Sequence, residues 1–163
     1  MFFIKKGIEE MDEKELKQAC LKLMDTTDAV YLSTLGDDGF PHRRMMSNLR
    51  NKAENPGSAK VLEPYQKGYV IFFVTGTSSV KMQQIKANPK ISAYFCNPKE
   101  LHTLMLGGQV EEVTDREVKR KLWQDGWEMH WPKGAEDPEF MVLKLVPTFA
   151  RGYCKEGPFE FNL

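Results

Sequence analysis

The stretch Thr75-Gly76-Thr77-Ser78-Ser79-Val80-Lys81 joins the end of an apolar, β-branched run to the start of a helical pattern. At such a junction the first N–H groups of the helix have no partner inside it and its end carries partial positive charge, so an anion is favoured. The hydroxyls of Thr75, Thr77, Ser78 and Ser79 add donors, and Lys81 adds a full charge. In outline this is a phosphate-binding corner. It is not a P-loop, because the GxxxxGK[ST] spacing is missing. The same residues also suit a plain helix cap at Ser78 or Ser79 with Lys81 in solvent.

A second group is Arg43 and Arg44, which follow Pro41 in a strand-like segment. A period of two sends their side chains to opposite faces, so one of them points toward the interior or a bound group. No acidic residue lies near them on that strand, and a buried arginine without an acid or phosphate partner is costly. An edge hairpin with both arginines in water is the other reading. Elsewhere the chemistry is sparse. His42, His102 and His130 are scattered without a metal-ligand pattern, so no metal site is expected. Ser33 and Ser47 lack GxSxG surroundings, and no catalytic side chain is assigned.

The elements that must position these residues follow from periodicity. Residues 12–26 read as an amphipathic helix carrying Leu16, Ala19, Cys20, Leu23 and Met24 on one side. Ala29–Leu35 and His42–Leu49 form a hairpin around Gly36-Asp37-Asp38-Gly39. The span Arg50–Gly68 reads as a loop with one helical turn near Val61–Gln66, and Tyr69–Thr75 as a central strand covered on both faces. Val80–Ala87 is a helix stopped by Asn88-Pro89. Ile91–Cys96 is a strand, and Leu101–Val113 is a long one with a bend or bulge at Gly107-Gly108. Thr114 and Glu117 have capping-box spacing for a helix carrying Trp123, Trp127 and Trp131 at steps of four. Two closing strands, Phe140–Val146 and Phe149–Cys154, hinge at Pro147. The expected fold is mainly β, an α+β arrangement in which about six antiparallel strands close into a small barrel at residues 29–155, with helices at the periphery. The whole of 1–163 is expected to be one domain.

The 23 basic and 23 acidic residues balance, so no global field draws in nucleic acid or an anionic membrane, and any anion binding is local. No apolar run approaches the roughly 20 residues of a membrane span. Cys20, Cys96 and Cys154 form no CxxC pair, which argues against a disulfide framework and fits a reducing cytoplasm. The opening residues 1–7 lack the pattern of a signal peptide.

Gly39 to Met46, Ile71 to Lys81 and Gln84 to Phe95 resemble, in order and spacing, pyridoxamine 5'-phosphate oxidase and its relatives. Gly108 to Asp115 is similar to the next strand of that fold, and Trp131 through Asp137-Pro138 to Pro147 resembles its general stress protein branch. The resemblance implies a split β-barrel homodimer, with FMN in two clefts between subunits and flavin-dependent oxidoreduction of an unidentified small molecule. It implies that Arg44 contacts the flavin, that Met45 and Met46 lie along the strand passing its ring, and that Thr75 and Gly76 form a strand end touching it. Ser79 and Lys81 match the phosphate cluster beside Ser78, and Thr103 stands where the oxidase has a glutamine at the ring. Val80 replaces a phosphate-binding arginine and Leu49 a lysine, which together with Thr103 implies weaker FMN affinity than in the oxidase. The oxidase's C-terminal arginine and histidine motif is not visible near Phe149–Leu163, so pyridoxal phosphate synthesis is not expected. Flavin binding without turnover, or a haem or deazaflavin ligand on the same fold, are the other readings.

Overall fold

The computed structural model describes residues 11–66 and 68–163. The opening segment weighed above for a leader lies outside the described residues. Asp12 accepts the Glu15 N–H while Glu15 returns a bond to the Asp12 N–H, and this capping box opens α1, Glu13–Thr26. Cys20, Leu23 and Met24 on one side of α1 bury against the sheet.

Seven strands follow: β1 Ala29–Leu35, β2 Pro41–Ser47, β3 Ile71–Gly76, β4 Lys90–Asn97, β5 His102–Glu112, β6 Phe140–Cys154 and β7 Gly157–Asn162. They pair antiparallel in the order β2-β1-β4-β5-β6-β3, with β7 also on β6. Three more helices, α2 Pro56–Leu62, α3 Val80–Ala87 and α4 Arg116–Leu122, complete the fold. The mainly antiparallel split barrel expected from the sequence is the fold observed, with seven strands rather than six.

The differences have physical reasons. The two closing strands are one, because β6 runs through Pro147 with a register shift opposite Gly107/Gly108 and leaves Thr148 unpaired on β5. That is the bulge the glycine pair led us to expect. β3 ends the strand order instead of lying at its centre. It is still covered on both faces, since Ile71 and Phe73 join the barrel core and Phe72 a second cluster with Leu49, Leu62, Val118, Leu122 and Phe140. The loop expected at 50–68 contains α2, which begins at Pro56, where a missing N–H is harmless.

The helix expected to carry three tryptophans stops at Leu122, and its N-cap is Asp115, which accepts the N–H groups of Glu117 and Val118. Trp123, Trp127 and Trp131 fold inward around the fully buried Phe140 with edge-on ring contacts at 5.0–6.4 Å. They are core, not a stripe.

Candidate functional site

Strand alternation separates the two arginines as expected. Arg43 is exposed and lies over the Tyr94 ring at 5.3 Å. Arg44 is half-buried on the face that also carries Leu32 and Thr34 of β1, turned toward α3. Its Nη1 donates to Thr34 Oγ1 at 2.6 Å and its Nη2 to Gln84 Oε1 at 3.1 Å. The Thr34 hydroxyl donates in turn to the same Gln84 oxygen, so both partners of Arg44 are held in place. Thr34 and Gln84 are site residues that motif reasoning missed. Period two in β1 puts Thr34 on the inward face with Val30 and Leu32, a signal that could have found it.

From β3 and the turn after it comes the other half. Thr75 is buried at the strand end, and Lys81, one turn into α3, folds back so that Nζ donates to Thr75 Oγ1 at 2.8 Å. Ser79 is the N-cap residue of α3, yet its hydroxyl makes no capping bond and lies 3.4 Å from Thr75 Oγ1. The plain-cap reading of these serines is therefore not what the fold uses. The Met82 and Gln83 N–H groups bond back to Ser79 O, which leaves those of Val80 and Lys81 as the open ones of the first turn.

Arg44 and Lys81 are both half-buried, Arg44 held by Gln84 of α3 and Lys81 set in that same helix. Burial lowers the Lys81 pKa and the Arg44 charge lowers it further, while burial lowers that of Arg44. Among the described residues neither takes part in an ion pair. Buried Arg50 shows how the fold treats a structural arginine: Nε is paired with Asp25 at 2.8 Å, and Nη1 donates to the carbonyls of Gly68 and Val70. Arg44 has only neutral partners, and a guanidinium carries five donors.

The remaining expected residues separate. Ser78 gives its backbone N–H to Glu139 Oε2 at 2.9 Å, and Gly76 lies against the same carboxylate. Met46 shares the inward face of Arg44 and packs on the barrel core, whereas Met45 points outward and is 69% exposed. Thr103 is on the outward face of β5, where its Oγ1 accepts the Tyr153 N–H. A single chain thus unites Arg44, Thr75, Ser79 and Lys81 and leaves Met45 and Thr103 on the opposite side of the sheet. A groove of about 820 Å³, lined by Ser33, Ser92, Gly107, Val146 and Phe149 among others, touches this corner only through Thr34. His42 is spent on Asp38 at 3.1 Å, and His102 lies beside Cys20.

Residues 60–157 match the model of the family described as pyridoxamine 5'-phosphate oxidase like. The chain belongs to that family. Among solved structures, a Clostridium acetobutylicum protein related to general stress protein 26 of the pyridoxinephosphate oxidase family is 27% identical. The match covers 94% of this chain and 97% of that one, with a TM-score of 0.73. General stress protein 26 of Bacillus anthracis is 19% identical over 91% of this chain and 98% of its own, with a TM-score of 0.67. A pyridoxamine 5'-phosphate oxidase-related, FMN binding protein of Nostoc punctiforme is 16% identical over 92% and 90%, with a TM-score of 0.62. These last two share the fold. Among curated protein sequences none matches. The neighbours share the split-barrel fold, and of the corner residues Thr75, Ser79 and Lys81 fall within the matched span 60–157 while Arg44 precedes it.

Proposed function

We propose that this protein binds FMN through its phosphate at the Arg44–Lys81 corner and serves as a flavin-dependent oxidoreductase for a small molecule. One observation carries the reading: Arg44 and Lys81, both half-buried near the start of α3, take part in no ion pair among the described residues. Holding like charges together in a partly dry place is unfavourable unless an anion joins them, and a phosphate monoester supplies both the charge and several acceptors. Arg44 and Lys81 would hold the phosphate, with the hydroxyls of Thr75 and Ser79 and the open N–H groups of α3 beside it. When bound, the flavin supplies hydride or electron transfer, and the protein supplies position and electrostatics.

The reading includes a second copy of the chain. The family resemblance gives Met45 and Thr103 roles near the flavin, and within one chain they face away from the corner. A partner's outer face would bring them back to it. Support comes from that face itself, where Met45, Tyr31, Tyr94 and Met105 form one register row across β2, β1, β4 and β5.

The test is titration of the purified protein with FMN and with riboflavin, which has the ring and lacks the phosphate. Lys81→Ala is expected to raise the FMN dissociation constant roughly tenfold to a hundredfold and to leave riboflavin nearly unchanged. Equal weakening of both ligands would remove the phosphate corner. A Soret band in the purified protein would indicate haem in place of flavin.

A further inference from the structure

The turn that opens α3 already holds an anion, and it belongs to the chain itself. Glu139 Oε2 accepts the Ser78 N–H at 2.9 Å, and the Glu139 carbonyl accepts the Thr77 N–H at 3.0 Å. The segment before it is built to deliver that carboxylate. Asp137, buried, accepts the N–H groups of Lys133 at 3.0 Å and Glu139 at 2.9 Å, and Thr77 Oγ1 donates to Pro138 O. The neighbouring Ser78 hydroxyl, followed by the Ser78 N–H and the Thr77 hydroxyl, holds the Glu139 carboxyl below its usual range. Glu139 is nevertheless in no ion pair with Lys81 or Arg44. The carboxylate sits on the neutral Ser78 N–H, while among the described residues Lys81 and Arg44 take part in no ion pair.

We propose that Glu139 is a built-in competitor at the phosphate corner. It accepts the Ser78 N–H, is displaced from it when a phosphate bridges Arg44, Lys81 and the turn, and sets how strongly the site discriminates by phosphate charge. The inference rests on the FMN-phosphate reading above. Its physical basis is simple: two anions cannot share one donor, and a carboxylate within several ångströms of a bound phosphate repels it, more so for a dianion than a monoanion. Gly76 leaves room for the displacement, since even an added Cβ there would meet Glu139 Oε2 only at an ordinary 3.6 Å.

Glu139→Gln separates charge from shape, because the amide oxygen can still accept the Ser78 N–H. It is expected to tighten FMN binding roughly three- to tenfold, with the gain shrinking in high salt, and to leave riboflavin unchanged. Glu139→Ala, which removes the acceptor altogether, is expected to move FMN in the same direction. Inorganic phosphate, followed through the Ser78 amide resonance, provides an arm independent of flavin and is expected to bind more tightly to Glu139→Gln than to the natural chain. FMN binding that is unchanged or weaker in Glu139→Gln, in a protein of unaltered melting temperature, overturns the competitor role. If the natural chain binds no FMN, the FMN reading fails and the phosphate arm decides this one. Tighter phosphate in the variant then sustains it, and no phosphate response in either protein ends it.

Discussion

At the scale of single residues, charge and direction decide what the candidate site can hold. Arg43 and Arg44 are adjacent in sequence, yet one stacks on Tyr94 in the open and the other is pinned by Thr34 and Gln84 beside Lys81. Arg44→Ala is expected to weaken FMN about tenfold or more and Arg43→Ala less than about threefold, read by fluorescence titration. Similar losses would place both arginines on the ligand. Lys81 carries a further consequence. A cationic group whose pKa falls on folding is charged less readily in the fold than in the open chain, so its charge opposes folding at neutral pH. Lys81→Met keeps most of the stem and drops that charge. The ligand-free variant is therefore expected to melt no lower than the natural protein while losing phosphate affinity. A clear fall in melting temperature would mean that the bond to Thr75 matters more than the repulsion from Arg44.

At the scale of elements, two places decide how the sheet is shaped and covered. Gly108 sits at the bulge, where a Cβ would run into Val146 O and Pro147 Cα, backbone atoms that cannot rotate aside. Gly108→Ala is expected to destabilise the fold by about 1–3 kcal/mol in denaturant unfolding, as overpacking against main chain does. The second place is Phe140 at the start of β6, fully buried among Trp123, Trp127 and Trp131, with Lys119 over its ring at 5.4 Å. Phe140→Ala is expected to lower stability by about 3–5 kcal/mol and to shift tryptophan emission to longer wavelength as water reaches the rings. A change under about 1 kcal/mol would show that the cluster is only loosely tied to the barrel.

At the scale of the whole molecule, the proposed homodimer does not draw on the tryptophans, whose rings pack on the chain's own second cluster. It draws on the outer face of the sheet, where Tyr31 is 37% and Met45 69% exposed in one row with Tyr94 and Met105. Apolar and aromatic side chains aligned in register over four strands, with Arg43 over the Tyr94 ring, make a face of the kind that a second copy covers. Sedimentation at micromolar concentration is expected to show a species of twice 18.8 kDa. Met45→Glu is expected to shift it toward the single chain and to weaken FMN together with it. A single 18.8 kDa species in the natural protein would sink the dimer.

What the sequence determined by itself was local. Apolar and alternating runs placed the strands, the stop at Asn88-Pro89 bounded α3, and the glycine pair marked the bulge. Each of these depends on neighbours within a few residues, where backbone sterics and side-chain alternation leave few options. The tryptophans misled because spacing by four fits a helix whether or not the chain continues one, and Phe140 offered their rings a partner in a different place. The strand at 157–162 escaped notice because its exposed edge pairing on β6 leaves only half of its side chains partly buried. Only the tertiary structure could bring Arg44 to Lys81, supply Thr34 and Gln84 as its holders, turn Met45 and Thr103 to the other face, and set Glu139 on Ser78. Those contacts join residues 37, 10, 40 and 61 positions apart, and that closeness is decided by strand order and core packing rather than by any pattern along the chain.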